Sequence, residues 1–444
     1  MKKISLNEFK ERRARLMEQM DAGSIAIIPA ATEIIRNNDV HFGFRQNSDF
    51  QYLTGFDEPD ALAVLMPGRE AAEYVLFVRD KDKDREIWDG YRAGPDGAVE
   101  AHGADDAFPI DDVDDILPGL MEGRTRVYAH MGVDAGFDHQ LMTWLNQIRS
   151  KARLGAVPPD DFSDISHLLH DMRLIKSRQE IAIMADAAKL SAAAHTRAMK
   201  NCKPGMWEYQ LQAEIEHECM MGGSPRPAYP AIVGGGANGC ILHYVENREK
   251  LKDGDLVLID AGCELEYYAS DITRTFPVNG HFSDEQRTIY DLVLKSQYAA
   301  IEAIKPGAHW NEPHEVTVRI LTEGLVALGL LSGDVDELIE DEVYREFFMH
   351  KTGHWLGLDV HDVGDYKVGG EWRVLEPGMV MTVEPGLYIS PDNTDVDEKW
   401  RGIGVRIEDD VVVTKDGRDV LTKDVVKRPD EIEALMSGGQ QSLF

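Results

Sequence analysis

Cysteine is scarce in this 444-residue chain: Cys202, Cys219, Cys240 and Cys263 form neither a CxxC pair nor any other short spacing. That excludes a disulfide framework or zinc knuckle and leaves four small, reduced residues. Long apolar runs are missing too. No window reaches the roughly 18 to 20 apolar residues of a membrane helix, and MKKISLNEFKERRARLMEQM alternates charged and apolar residues where a signal peptide carries an unbroken run. A cytoplasmic protein is expected. Positive charge is short as well, 47 basic against 79 acidic side chains for a formal charge of −32. This balance opposes nucleic acid and anionic membranes as partners and tolerates cationic ligands or metals.

Several catalytic motifs are also absent. There is no GxSxG elbow and no P-loop. Gly234, Gly236 and Gly239 satisfy GxGxxG, but Pro225, Pro227 and Pro230 disfavour a central strand before them. CILHYVEN after them alternates like a strand instead of opening a helix, so dinucleotide binding is not expected. His350 and His354 are four apart, as in HExxH, yet Lys351, Thr352 and Gly353 between them include no glutamate.

What is present suggests two domains. SIAIIPA, ALAVLMPG and EYVLFVRD read as strands, and Leu6 to Met20 and DHQLMTWLNQIRS as amphipathic helices, together a mixed sheet with helices. VPPDDFSDI, with Pro158 and Pro159, reads as a linker. Ser177 and Glu180 then stand in capping-box spacing before an alanine-rich helix, which places the boundary near residue 172, with domains 1–172 and 173–444.

The second part carries an internal echo. Lys203-Pro204-Gly205 and Lys305-Pro306-Gly307 each separate two helical segments, and LKDGDLVLIDAG aligns without gaps on LEPGMVMTVEPG. The alignment matches Leu251 with Leu375, Gly254 with Gly378 and Gly262 with Gly386, and sets Asp260 on Glu384. Two similar halves around a shared cleft are expected. Downstream of Asp260, Asp271, Thr273 and Thr275 share one strand face; downstream of Glu384, Arg406, Glu408 and Asp410 do the same. An isolated acid on a strand is usually a solvated edge. Four carboxylates converging on one cleft repel one another and carry raised pKa values unless cations neutralise them. Hard oxygen ligands with one imidazole from HKTGHWLGLDVHD suit manganese, with cobalt, zinc or magnesium as alternatives. Such a pair of ions can activate a hydroxide and polarise a carbonyl.

These segments resemble the pita-bread metallopeptidases, a family that includes aminopeptidase P, prolidase and methionine aminopeptidase. HKTGHWLGLDVHD is similar to the signature of aminopeptidase P and prolidase, with Lys351 an unusual residue inside it. DAG at Asp260, SDITRTFPV around Asp271, TVEPGLYI around Glu384 and GVRIEDDVVVT around Glu408 match as well. FRQNSDFQYLTGFDEPDA near residue 50 is similar to the N-terminal domain of bacterial aminopeptidase P. The resemblance implies an α/β (α+β) fold: a mixed-sheet, creatinase- and prolidase-like domain for substrate access and oligomerisation, then a catalytic pita-bread domain with a pseudo-twofold repeat.

It further implies that Asp260, Asp271, His354, Glu384 and Glu408 bind two divalent ions, most typically manganese, bridged by Asp271 and Glu408. His243, His361, Glu384 and Arg406 are the implied catalytic residues. His243, His350, His361, Arg406, Tyr229, Trp88 and Asp39 are the implied substrate contacts. The expected reaction is hydrolysis of the bond between an N-terminal residue and a following proline by a metal-bridging hydroxide, with Glu384 as proton shuttle, in a homo-oligomer (dimer or tetramer). Prolidase, which takes dipeptides with the same ligands, and an inactive pita-bread binding module are the rival readings. Methionine aminopeptidase normally lacks the N-terminal domain, and creatinase lacks the ligands.

Overall fold

The computed structural model describes residues 2–440. They divide into two units, one spanning Ile4–Arg173 and one running from Leu174 onward together with Lys2 and Lys3.

In the first unit, helix α1 (Leu6–Gln19) precedes a six-stranded mixed sheet. Its strands are β1 (Ile25–Pro29), β2 (Leu62–Leu65), β3 (Tyr74–Val78), β4 (Asp106–Pro109), β5 (Arg126–Ala129) and β6 (Asp161–Asp164), in spatial order β4-β3-β2-β1-β5-β6. The β1–β2 and β2–β3 pairs are antiparallel and the other three parallel. The central runs are apolar at successive positions because they are covered on both faces. On one side Leu141, Trp144 and Ile148 of helix α2 (Ala135–Ser150) pack against Ile25, Ile27, Val64 and Phe77. The stretch expected as a linker instead contains the edge strand β6. Pro158 and Pro159 stand just before it, where the ladder needs no N–H.

The second unit is built twice over. Its first half has helices α3 (Arg178–Asn201) and α4 (Glu208–Met221), then a sheet of β7 (Ile232–Gly235), β8 (Leu256–Asp260) and β9 (Thr273–Pro277). The Ser177–Glu180 capping box does open α3. The second half has helices α5 (Asp284–Ala303) and α6 (Glu312–Ala327), then β10 (Val380–Val383), a ribbon of β11 (Gly386–Tyr388) and β12 (Gly404–Arg406), and β13 (Asp409–Thr414) with β14 (Gly417–Val420).

The two echoes in the sequence are one motif in space. Gly205 and Gly307 both sit at φ +89°, a left-handed turn that favours glycine. The Gly205 N–H donates to Leu251 O at 2.8 Å and the Gly307 N–H to Leu375 O at 3.0 Å. Trp207 bridges Lys250 just as His309 bridges Val374. CILHYVEN, expected as a strand, is irregular. Asn247 at φ +48° replaces the ladder with side-chain bonds, accepting from the Val233 N–H (2.9 Å) and donating to Ala231 O (2.8 Å). Among the described residues no helix is long and apolar enough to cross a membrane.

Candidate metal centre

Two hairpins supply the acids. Strand β8 ends at Asp260, which pairs with Thr273, and Asp271 lies two residues before that strand's partner, β9. In the second half β10 ends at Val383, which pairs with Asp409, so Glu384 and Glu408 flank the same end of the ladder. The halves are then stitched together. The Thr273 hydroxyl donates to Glu408 Oε2 at 2.6 Å, and the Asp271 N–H donates to Asp410 Oδ2 at 3.1 Å.

The histidine joins by a separate route. Residues 352–356 run antiparallel beside β10, with the Thr382 N–H donating to His354 O (3.0 Å) and the Glu384 N–H to Thr352 O (2.8 Å). Gly353 makes this approach feasible, because a Cβ there would lie 2.0 Å from Thr382 O. Fully buried Trp355 anchors the segment between Trp310 and Tyr366. His354 Nδ1 donates to Trp355 O at 2.9 Å, which leaves Nε2 to face Asp271 Oδ2 at 3.4 Å and Glu384 Oε1 at 3.6 Å; a cation there would take the place of the Nε2 proton. Ligand atoms of Asp271, His354 and Glu408 all lie within 4.8 Å of one another.

Helix α3 supports the centre from behind. His195, fully buried, donates from Nε2 to Ala261 O at 2.9 Å, and Ser191 Oγ lies 2.5 Å from Ser270 Oγ and accepts the Cys263 N–H at 3.0 Å. Ala261 follows Asp260 and Ser270 precedes Asp271, so one helix turn pins both acid-bearing segments. Gly262 is required between them, since a Cβ there would meet Ser270 O at 1.7 Å.

Electrostatics fit a cation. Burial, reinforced by Asp271, Glu384 and Asp260, lifts the Glu408 carboxyl well above the usual range. Burial and Asp260 raise Asp271, and burial pushes Glu384 up to about 7. Burial alone would lower His354, but its bond to Asp271 and the charge of Glu384 carry it up to about 9. The Tyr229 hydroxyl touches both Asp260 and Asp271, and its single proton cannot satisfy two carboxylates. A hard divalent cation resolves all of these conflicts at once, and four carboxylates with one imidazole are the donors it prefers.

The cavity, about 400 Å³, is lined by Asp260, Asp271, His354, Glu384 and Glu408 together with Tyr229, His243, His350, His361 and Arg406. His361 packs edge-on against His354, ring centres 4.4 Å apart. Each nitrogen of the buried Arg406 guanidinium has a protein partner: Nε with Thr273 Oγ1 (3.0 Å), Nη1 with the Tyr388 hydroxyl (3.0 Å) and Nη2 with Asp260 Oδ2 (2.6 Å). Burial and Arg406 push His350 down to about 3. With Nδ1 donating to Lys351 O, its Nε2 accepts the Tyr388 hydroxyl at 2.8 Å. Asp39 and Trp88 are not among the lining residues. They are exposed on the first unit, Trp88 at 84%.

Sequence reasoning passed over Tyr388, Thr382, Ser191 and His195. Tyr388 sits in the quoted TVEPGLYI, and a tyrosine two residues past a glycine that follows a candidate ligand was the available signal. Ser191 and His195 are spaced one helical turn apart within an alanine-rich face, the pattern of polar groups aimed at a partner.

These features define a pita-bread metallopeptidase. Residues 182–415 match metallopeptidase family M24, residues 9–128 match the aminopeptidase P N-terminal domain, and the chain belongs to the M24 family. It is 51% identical to the Xaa-Pro aminopeptidase of Escherichia coli (strain K12), covering 98% of this chain and 99% of that protein. With the Xaa-Pro aminopeptidase of Haemophilus influenzae it shares 45% over the same proportions. The structure of Pseudomonas aeruginosa aminopeptidase PepP superposes with a TM-score of 0.99 at 62% identity, covering 100% of both chains. Zn-substituted E. coli aminopeptidase P in complex with product gives 0.96 at 50%, covering 98% of this chain and 99% of that one.

Proposed function

We infer that this chain is an Xaa-Pro aminopeptidase, releasing the N-terminal residue from peptides whose second residue is proline, with two divalent ions, manganese foremost. The observation that carries the reading is the convergence of Asp271, His354 and Glu408 within one lined cavity, in a chain that matches Xaa-Pro aminopeptidases over nearly its full length.

Asp260, Asp271, His354, Glu384 and Glu408 would hold the ions. When bound, the ions supply an activated water at neutral pH and polarise the substrate carbonyl. His361, whose pKa burial lowers below the usual imidazole value, with His243 donates N–H to the carbonyl oxygen as negative charge develops there. Glu384 would take the proton released by the attacking water on its carboxylate and pass it to the departing proline nitrogen. Arg406 orients Asp260 through the bonds described above. The cationic substrate amine is attracted to Asp260, which limits cleavage to one residue.

The reading extends to a cytoplasmic homo-oligomer. Its supports are the four free cysteines and the exposed Ile34, Ile35, Val40 and Phe42 on the first unit, apolar surface of the kind that marks interfaces.

The test incubates the chelated, manganese-replenished protein with an Xaa-Pro-Xaa tripeptide, an Xaa-Pro dipeptide and a methionyl peptide. Metal-dependent cleavage of the tripeptide is expected. Cleavage of the dipeptide alone would make it a prolidase, and no recruitable metal would make it a binding module.

A further inference from the structure

Lys351, inside the histidine segment, is not absorbed by the ligand set. It lines the cavity, and its ammonium lies 5.8 Å from the centre of the Trp372 ring. Lys367 holds a second ammonium 4.4 Å from the centre of the same ring. Trp372 pairs with Lys367 across a short hairpin and packs on the cluster around Trp310 and Trp355. Tyr366, just before the hairpin, stacks on Trp355 with ring centres 5.6 Å apart and accepts the Trp355 N–H at 3.3 Å. The hairpin is thereby fixed to the His354 segment, and the two lysines with it.

Among the described residues neither lysine has a carboxylate within ion-pair distance, Glu371 on the same hairpin included. In a chain with 79 acidic side chains, two ammonium groups without an ion-pair partner about one indole are conspicuous, and of the two Lys351 lines the cavity. Arg406 has its nitrogens committed to protein partners. Lys351 is therefore the permanent cation of the cavity wall that is free to meet a ligand.

We propose that Lys351, with Lys367 across Trp372, binds a carboxylate that the peptide carries beyond its proline, and so selects for anionic substrates. The inference rests on the Xaa-Pro reading. A peptide's own ammonium terminus is repelled by Lys351 and attracted to the acids, so the part that reaches the lysines is the opposite end. Two groups there share the required chemistry, the C-terminal carboxylate of a short peptide and an Asp or Glu side chain after the proline. A solvent-facing ion pair supplies about a 2- to 5-fold preference, and salt screens it over roughly 10 Å at 0.1 M.

The experiment measures kcat/KM of the manganese-loaded full chain on two matched pairs: Ala-Pro-Ala against its C-terminal amide, and Ala-Pro-Glu-amide against Ala-Pro-Gln-amide. The first pair reads the terminal carboxylate and the second the side chain. In at least one pair the anionic member is expected to be favoured about 2- to 5-fold at low salt, with the ratio shrinking in high salt. Lys351→Gln should bring that ratio to about one, and Lys351→Glu should reverse it, favouring Ala-Pro-Lys-amide over Ala-Pro-Gln-amide. A merely structural lysine would not produce that reversal. Equal rates within both pairs, or a preference that survives Lys351→Glu, overturn the proposal while leaving the Xaa-Pro reading intact. Failure to cleave any of these peptides overturns both.

Discussion

Replacing Glu384 with Gln should stabilise the metal-free protein at alkaline pH, although it removes a proposed catalytic group. In the folded chain the Glu384 carboxyl is raised from 4.5 to about 7, burial being the main cause. A carboxyl whose folded pKa exceeds its unfolded value binds protons more tightly when folded. Its contribution is therefore present in full below about pH 4.5 and is lost as pH rises through about 7. At about 1.4 kcal/mol per pKa unit, the loss at pH 8 is about 3 kcal/mol. Glutamine has nearly the same shape and cannot ionise, so the variant escapes this loss. For a unit of this size the gain is roughly 5–10 °C in Tm. The assay is calorimetry of chelated wild type and Glu384→Gln at pH 5 and pH 8, following the transition of the second unit. The Tm advantage of the variant should appear at pH 8 and shrink toward pH 5, and manganese should raise the wild-type Tm more at pH 8 than at pH 5, because cations replace the missing protons. A variant no more stable than wild type at pH 8 would refute the claim that the centre is strained by uncompensated charge.

Asp271→Ala should abolish tight metal binding and turnover together, measured by metal analysis and peptide hydrolysis; two retained ions with normal activity would sink the ligand assignment. His361→Ala should lower kcat by about 10²- to 10³-fold, as loss of an oxyanion donor does, with metal content unchanged. Wild-type kinetics in that variant would remove His361 from the mechanism. His195→Ala should weaken metal affinity about 10- to 100-fold by freeing the Ala261 carbonyl beside Asp260, and His195→Gln, which keeps a donor, should recover part of it. Equal affinity in titration calorimetry for all three proteins would mean that α3 plays no part in shaping the centre.

How much of this was legible differs from element to element. The strands β1 to β3 and the start of α3 were, because apolar runs bounded by turn residues and a capping box are local signals. Strand β6 was not. Its residues DFSD carry no apolar pattern, and it pairs only because β5 offers it an edge. CILHYVEN misled in the opposite direction: its alternation suggested a strand, but the Asn247 side chain takes the backbone partners a ladder would use.

The sequence by itself determined which groups could form a metal centre. Residue alternation sorted Asp271, Thr273, Arg406 and Glu408 onto common strand faces, and the echo of Asp260 in Glu384 implied two halves. Those are properties of neighbours along the chain. Only the tertiary structure decided their distances and charge states, for these depend on contacts between residues far apart in sequence. His354 reaches Asp271 because Gly353 lets its segment lie against β10. Arg406 is spent on Asp260 and Tyr388 and so is not a free cation. The carboxylates of Asp271, Glu384 and Glu408 are raised because folding encloses them together away from water. Lys351 is the reverse case: a plain lysine in the sequence, it acquires a proposed role only because folding sets it on the wall of that enclosure with no acid to pair with.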